Sequence, residues 1–434
     1  MTDLQQIDKA IVWHPFTPQE GELPDNIIAE RGEGTCFITP DGRKIIDAIA
    51  SWWVNLHGHA HPVIANALAA QAKKLEHVMF AGFTHEPAVT LAQNLLSQVD
   101  ASFTKVFYSD NGSTANEVAL KLAMQFWYNQ GISKPIIVAL DGAYHGDTFG
   151  AMAVGERSIF THPFTPYLFE VKFLDFPTGQ NDATVIQQFK QIAEQQTVGA
   201  FIFEPLIQGA SGMRMYKPET LQALLEIAKQ HSIITIADEV FTGFYRTGKF
   251  LATHHITQQP DIIALSKGIT GGALPLGATL VSQDIYQAFV SADFSKAFLH
   301  GHSYTANPLA CAAANASFEL LMQADCQQRI QRIAQRHQQF IEKIKNHAAL
   351  SDCRALGTIC AFEIKTQTES GYTNTVRDKI LHYFLSKNIL LRPLGNIFYL
   401  VPPYCITNEE LDYIYAEIEN FLHQLFVRDV SSKT

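Results

Sequence analysis

The chain has 434 residues, 47% of them hydrophobic, which is enough for two or three domains around a large core. Its formal net charge of −10 argues against sequence-independent nucleic-acid binding, which needs a basic surface. The first residues lack the pattern of a signal peptide, and no apolar run is long enough to span a membrane. The six cysteines, without CxxC spacing, indicate a reducing compartment. We therefore expect a cytoplasmic protein.

The first part of the chain combines short, interrupted segments with an unusual number of aromatic residues. Prolines and glycines break residues 1–43 into an arm with small strands, and Asp41-Gly42 predicts a turn. Phe16 and then Trp52-Trp53 stand among turn residues. They are explained equally well by core filling at a domain junction and by an aromatic wall for an apolar or planar substrate.

His57, His59 and His61 alternate along the chain and raise the possibility of a zinc site. They would share one side only in an extended segment, and no nearby carboxylate or cysteine completes the set. Gly58 and Pro62 instead predict a turn before an amphipathic helix that starts at residue 62. A zinc enzyme therefore stays only as an alternative, and we expect no metal.

Residues 106–128 predict a short strand, a polar turn and a long helix. Gly112 and Ser113 lie where the turn meets the helix. Free backbone N–H groups and the helix dipole favour an anion there, and glycine permits close approach. An ordinary N-cap at Asn111 or Ser113 is the alternative explanation.

Further apolar strands at residues 136–140 and 201–203 end in polar turns. The first leads to Tyr144 and His145, either of which could stack on a planar ring. Short apolar strands that alternate with helices predict a doubly wound, mostly parallel α/β sheet. Ligands in such sheets bind beyond the carboxyl ends of the strands.

Two more apolar runs, 233–237 and 262–265, deliver Asp238 and Lys267 to that same edge. A lysine that ends an apolar strand is partly desolvated, so its pKa falls and its amine can become nucleophilic. Such an amine can form a Schiff base with pyridoxal phosphate, and an aspartate can pair with the pyridine nitrogen. A surface salt bridge beside a turn explains these two residues equally well.

Five motifs that follow one another in order resemble the class III (ω) aminotransferases, which use pyridoxal phosphate and have the type I fold. They are DGAYHGDT (141–148), FEPLIQGASGM (203–213), IADEVFTGFYRTGK (236–249), LSKGITGG (265–272) and HGHSYTANPLACAAANAS (300–317). The resemblance covers essentially the whole chain. It implies an N-terminal arm (1–55) that belongs to the small domain, a large cofactor-binding domain (56–323) and a small C-terminal α+β domain (324–434).

The resemblance also implies the role of each cofactor-site residue. Lys267 would hold the cofactor as a Schiff base and shuttle a proton, and Asp238 would pair with the pyridine nitrogen. Gly112 and Ser113 would bind the phosphate, together with the partner subunit's Ser303. Tyr144 would stack on one face of the ring, with Val240 behind the other. The family's active sites lie between two subunits, so a homodimer is implied.

Within the family, WHPFT, SWWVNLHGH, GDTFGAM and GMRMY are similar to the synthases of 7,8-diaminononanoate in biotin biosynthesis. The substrate-site residues implied are Phe16, Trp52, Trp53, Tyr144, Arg392 and Tyr399, with Arg392 on the carboxylate of the keto acid. Phe16 replaces a common tyrosine, and Ser303 replaces a threonine common in the enzymes that use S-adenosylmethionine. We expect S-adenosylmethionine as amino donor, with lysine, or another ω-aminotransferase or aminomutase reaction, as the alternatives.

Overall fold

The computed structural model describes residues 2–18, 20, 26–195, 197–366, 374 and 376–431. Within these residues the helices are α1 Asp3–Ile11, α2 Ala50–Trp53, α3 Pro62–Lys74, α4 Glu86–Leu96, α5 Gly112–Asn129, α6 Phe149–Ala153, α7 Asp182–Gln195, α8 Pro218–Gln230, α9 Gln283–Gln287, α10 Pro308–Leu321, α11 Ala324–Ile344, α12 Val376–Ser386 and α13 Asn408–Ser431. The strands are β1 Arg31–Glu33, β2 Cys36–Ile38, β3 Lys44–Asp47, β4 Phe103–Ser109, β5 Ile136–Leu140, β6 Lys172–Leu174, β7 Val198–Phe203, β8 Ile207–Gln208, β9 Arg214–Met215, β10 Ile234–Asp238, β11 Ile262–Leu265, β12 Gly277–Ser282, β13 Leu350–Leu356, β14 Ile359–Ile364, β15 Ile389–Leu390 and β16 Ile397–Leu400.

The largest sheet in the described part of the chain has seven strands in the order β4-β12-β11-β10-β7-β5-β6. The five strands from β11 to β6 run parallel, and only β12 is antiparallel to its neighbours. Every residue of β7, β10, β11 and β12 is buried, as expected for strands covered on both faces. The prediction of a doubly wound, mostly parallel sheet is confirmed.

Strands β10 and β11 are adjacent and parallel, with Asp238 level with Ala264. Their carboxyl ends therefore meet at one edge of the sheet, and the side chains that follow them share that edge. The turn that carries Lys267 begins immediately after β11, as a short 3₁₀ helix, Lys267–Thr270. The register thus brings the carboxylate of Asp238 and the amine of Lys267 to the same edge of the sheet, as predicted.

Two smaller sheets lie outside this layer. One has the order β1-β2-β3-β15, so residues 31–47 share a sheet with Ile389–Leu390 near the other end of the chain. The other has the order β13-β14-β16. The shared sheet agrees with an arm that belongs to a small C-terminal domain, and the boundaries at 55/56 and 323/324 stay predictions.

The helix α1 was not predicted, although its start has a sequence signal. Thr2 accepts a hydrogen bond from the backbone of Gln5, and the Gln5 side chain accepts one from the backbone of Thr2. This capping box satisfies two N–H groups that a helix start leaves unpaired. Among the described residues, no helix is long and apolar enough to cross a membrane.

Candidate active site

A cavity of about 670 Å³ opens at the carboxyl edge of the large sheet. Its walls include Lys267, Asp238, Ser113, Tyr144 and Val240, which the sequence assigned to one cofactor site. A volume of this size is typical of cofactor and small-molecule pockets. Residues that lie more than 150 positions apart in the chain therefore face one common space.

Lys267 enters this cavity from a strained backbone position. Its φ of 45° lies in the left-handed region, which a lysine adopts only where surrounding packing holds it. The amine lies over the ring of Trp53, 4.6 Å from the centroid, and 5.7 Å from that of Phe241. Burial lowers the pKa of Lys267, while Asp238 and Glu204 act in the opposite direction. The amine is thus more readily neutral, and so nucleophilic, than a solvated lysine.

Asp238 is buried at the end of β10 and is held by three hydrogen bonds. His145 Nδ1 and Asn116 Nδ2 donate to Oδ2 at 2.7 and 2.8 Å, and the backbone N–H of Val240 donates to Oδ1 at 3.1 Å. The amide of Asn116 also donates to the carbonyl of His145, at 2.8 Å. The carboxylate is therefore fixed by a rigid set of donors behind it.

Glu204 follows β7 and is a second buried acid in the cavity wall. Its two oxygens accept from the backbone N–H groups of Tyr144, at 3.0 Å, and Gly209, at 2.9 Å. Burial raises the pKa of Glu204 to about 7, with the charge of Asp238 adding to the rise and His145 opposing it. Glu204 therefore ties the loop that carries Tyr144 to the sheet, and it titrates near neutral pH.

The start of α5 forms the opposite end of the cavity. Asn111 caps the helix by accepting from the N–H of Thr114 at 2.9 Å, which confirms the alternative of an N-cap. Gly112 and Ser113 nevertheless lie at the first turn, where helix N–H groups favour an anion. A Cβ on Gly112 would stand 2.6 Å from Val240 Cγ1, so only glycine fits against Val240. Phosphate binding by Gly112 and Ser113 stays a prediction.

Ser113 is tied to the 141–148 loop through Thr148. The Thr148 N–H donates to Ser113 Oγ at 3.0 Å, and the two hydroxyls lie 2.7 Å apart. Thr148 in turn donates to Glu117 Oε1 at 2.5 Å, and that oxygen also accepts from the N–H groups of Gly150 and Ala151. Glu117 thus joins the start of α6 to α5.

A second, apolar cavity of about 370 Å³ adjoins the first and shares Trp53, Tyr144 and Lys267 with it. Phe16 packs edge-on against Trp52, with ring centroids 5.4 Å apart, and against Phe160 at 5.9 Å. These three rings form one wall of a channel that leads to the Lys267 amine. Trp53 is buried, as core filling requires, whereas Trp52 and Phe16 are partly exposed and line the channel. Contact of these rings with a substrate stays a prediction.

The remaining predicted residues, Tyr399, Arg392 and Ser303, are not among those that line either cavity. Tyr399 is buried behind Trp53, whose indole N–H donates to the tyrosine hydroxyl at 3.1 Å. The guanidinium of Arg392 lies over the ring of Trp52, 4.7 Å from its centroid. Ser303 is exposed. Tyr399 thus supports the wall, and direct substrate or cofactor contact by Arg392 and Ser303 stays a prediction.

The three histidines of LHGHAHP do not face one point. His57 Nε2 lies 3.1 Å from Ser317 Oγ, whereas His59 Nε2 lies 3.0 Å from Asp47 Oδ2. His57 and His61 make an edge-on ring contact with centroids 6.1 Å apart. Within the described ranges, no group of three or more histidine, cysteine or acidic side chains could hold a metal ion. The geometry gives the zinc alternative no support.

Sequence reasoning missed Asn116, Glu117 and the bond between His145 and Asp238. A fully buried asparagine on the apolar face of α5 was the available signal for Asn116, since buried polar groups are normally paired. His145 was considered only as a stacking ring. Partners that meet across 93 and 122 positions leave no pattern in a single sequence.

These residues match the chemistry of pyridoxal phosphate. The cavity presents an amine for its aldehyde, a fixed carboxylate for its pyridine nitrogen and a helix start with a hydroxyl for its phosphate. Tyr144 and Val240 line the space between them. The site and the sheet define a pyridoxal-phosphate enzyme of the type I fold.

Comparison with known proteins gives the family. The model for aminotransferase class III matches residues 17–422, so the chain belongs to the class III aminotransferases. It is 47% identical over 422 residues to the adenosylmethionine-8-amino-7-oxononanoate aminotransferase of Synechococcus elongatus, covering 95% of this chain and 99% of that protein. The enzyme of the same name from Helicobacter pylori is 36% identical, with 98% of each chain covered. The crystal structure of the Methanocaldococcus jannaschii enzyme of that name superposes with a TM-score of 0.90 at 34% identity, covering 96% of this chain and 98% of that one.

Proposed function

We propose that this enzyme transfers an amino group to 8-amino-7-oxononanoate and forms 7,8-diaminononanoate, a step of biotin biosynthesis. One observation carries the assignment beyond family membership: an apolar channel lined by Phe16, Trp52 and Phe160 leads to the Lys267 amine. The acceptor has a ketone near one end, a carboxylate at the other and a run of methylenes between. Arg392, stacked on Trp52, is the cation that we assign to the carboxylate.

The chain's own residues position the reacting groups and move the proton. Pyridoxal phosphate, when bound, withdraws electrons from the carbon that bears the amine. Lys267, as a free amine, would accept the proton from that carbon of the donor and pass it to the aldehyde carbon of the cofactor. In the second half-reaction it would carry a proton in the opposite direction, to the carbon that receives the amine. Burial lowers the pKa of Lys267, which favours the neutral amine that can accept a proton. Asp238, fixed by His145 and Asn116, would pair with the pyridine nitrogen and hold it protonated.

We propose S-adenosylmethionine as the amino donor. Its sulfonium cation and adenine ring favour aromatic surfaces, and a cation–π contact contributes about 0.5–2 kcal/mol depending on desolvation. Trp52, Trp53 and Tyr144 line the cavity next to Lys267. Phe16 lacks the hydroxyl of the tyrosine expected there, a loss of roughly 0.5–1.5 kcal/mol, which weakens affinity about tenfold at most. The aromatic area outweighs that loss.

We also propose a homodimer, in which the partner subunit's Ser303 completes the phosphate site. Large apolar side chains that are exposed in the single chain support it: Trp13 at 84%, Tyr304 at 66% and Met79 at 59%. Tyr304 is the immediate neighbour of the exposed Ser303 in the HGHSYT motif. We place the enzyme in the cytoplasm, consistent with six free cysteines.

The test is product formation from purified enzyme, pyridoxal phosphate and 8-amino-7-oxononanoate, with S-adenosylmethionine or lysine as donor. We expect the diamine, detected by mass spectrometry, with S-adenosylmethionine and far less with lysine. The diamine with lysine alone would overturn the donor and keep the acceptor. No diamine with either donor, but amine transfer to other ketones, would overturn the proposed reaction.

A further inference from the structure

The turn that carries both tryptophans of the substrate wall has a strained backbone. Three of its four residues, Ala50, Ser51 and Trp53, have φ values of 51°, 63° and 70° in the left-handed region. Trp52, between them, has φ −150° and ψ 60°, so α2 is not a regular helix. Left-handed backbone at bulky residues persists only where surrounding contacts hold it. Some feature outside the turn must therefore fix its conformation.

The fully buried Asp47 supplies the hydrogen-bond acceptors for this turn. Its Oδ2 accepts from the Ser51 N–H at 2.5 Å and from the Ser51 hydroxyl at 3.3 Å. Its Oδ1 accepts from the N–H of Ile49 at 3.2 Å. The orientation of this one carboxylate therefore decides where the backbone of the turn runs.

His59 orients that carboxylate, and the surrounding hydrogen bonds fix which ring nitrogen carries the proton. The Gly58 N–H donates to Asn55 Oδ1 at 2.8 Å, which leaves the Asn55 Nδ2 as the donor toward His59 Nδ1 at 3.2 Å. His59 Nδ1 is then an acceptor, so the ring proton is on Nε2. That nitrogen donates to Asp47 Oδ2 at 3.0 Å.

Packing holds the ring of His59 in place. It lies against Phe37, with ring centroids 4.2 Å apart, and its backbone N–H donates to the carbonyl of Gly34 at 2.7 Å. A Cβ on Gly32 would stand 2.4 Å from the Cβ of His59, so the two segments are in close contact. The first small sheet thus serves as a fixed support for the ring.

We propose that His59 is a positioning residue, which acts through Asp47 to hold the 50–53 turn in its left-handed conformation. The turn then keeps Trp53 against the Lys267 amine and presents Trp52 to the channel. This gives one histidine of the LHGHAHP motif a role in the active site without a metal and without contact with substrate.

The test compares two substitutions that differ only in reach. In His59→Gln the amide nitrogen takes the place of Nε2 and can still donate to Asp47. In His59→Asn the amide ends near the position of Nδ1 and is too short to reach Asp47. Both remove the ring from Phe37 equally, so their difference reports the bond to Asp47. His382→Asn, at an exposed histidine of α12, is the matched surface control.

Two measurements on the apoenzyme report the turn. The first is near-ultraviolet circular dichroism, which senses the packing of the tryptophans, and the second is the rate at which Lys267 reacts with added pyridoxal phosphate. We expect His59→Asn to change the spectrum and to slow that reaction about tenfold. His59→Gln should stay within about threefold of the unmodified enzyme, and His382→Asn should match it.

Equal spectra and equal rates for the glutamine and asparagine variants would overturn the proposal, even if both lower the thermal midpoint. Asp47→Asn tests the bond between His59 and Asp47 by changing the acceptor, since it removes one acceptor oxygen and leaves His59 intact. If His59→Asn does not fold, an unchanged spectrum and rate in Asp47→Asn would overturn the proposal, and a change like the one expected for His59→Asn would support it.

Discussion

Replacement of Gly112 by alanine is a direct test of the phosphate end of the site. The new Cβ would stand 2.6 Å from Val240 Cγ1 and 3.2 Å from Cγ2, so Val240 must move. Its open side is the cavity, where its methyl groups would enter the space of the cofactor ring. Overpacking of this kind costs about 1–3 kcal/mol. We therefore expect pyridoxal phosphate to bind roughly 5–150-fold more weakly.

The assay is equilibrium titration of the apoenzyme with pyridoxal phosphate, followed by tryptophan fluorescence. Val240→Ala is the matched partner, because it removes both methyl groups and leaves the nearest contact, Val240 Cβ, at an ordinary 3.5 Å. In a double-mutant cycle, Gly112→Ala/Val240→Ala should recover most of the affinity that Gly112→Ala loses. Unchanged affinity in Gly112→Ala, or no recovery in the double variant, would show that the contact with Val240 does not control cofactor binding.

Substitutions of Asp238, Arg392 and Glu204 give three further tests. Asp238→Asn should lower kcat about 100-fold, because a neutral amide cannot stabilise the positive pyridine nitrogen, while absorbance shows that the cofactor still binds. Arg392→Ala should raise KM for the keto acid about tenfold or more, measured by steady-state kinetics, with a smaller effect on KM for the donor. The free energy of unfolding of the unmodified apoenzyme should fall as pH rises from 4.5 to 7, and this fall should be smaller in Glu204→Gln. Burial raises the pKa of Glu204 from 4.5 to about 7, so the folded state binds its proton more tightly and loses about 3 kcal/mol as pH rises through that window.

Each of these expectations has a result that contradicts it. A retained proton on the pyridine nitrogen of the Asp238→Asn enzyme, seen by nitrogen-15 NMR, would remove Asp238 from its assigned role. Equal rises in both KM values would make Arg392 a structural residue. The same loss of unfolding free energy from pH 4.5 to 7 in Glu204→Gln and the unmodified apoenzyme, measured with urea, would assign that pH dependence to other groups.

The elements of the large sheet were predictable because their residues are apolar on both faces and end in polar turns. The predicted strands 136–140 and 262–265 coincide with β5 and β11, and the helix predicted from residue 62 is α3. The antiparallel β12 was not predicted, since its sequence GATLVS includes glycine, threonine and serine although all six residues are buried. Strand direction depends on how the chain returns to the sheet, and composition does not record that.

The residues assigned to the cofactor site could be chosen from motifs, and the groups that support them in the structure could not. Lys267 and Asp238 follow apolar strands directly, which is a local signal. The support of Asp238 by Asn116, and of the tryptophan turn by His59, depends on hydrogen bonds formed only after folding. Ser51 and Trp53 have left-handed φ values, which a sequence usually marks with glycine. Because neither residue is glycine, the local sequence favours another conformation there.

The central claim is that the Lys267 amine, in this cavity, carries out amino transfer. The most direct measurement mixes the holoenzyme with S-adenosylmethionine alone and follows cofactor absorbance in a rapid-mixing instrument. We expect rapid conversion to the pyridoxamine form in the unmodified enzyme. In Lys267→Ala, folded and still holding the cofactor, we expect no conversion on that timescale. Conversion at a similar rate in Lys267→Ala would show that the Lys267 amine is not needed for amino transfer.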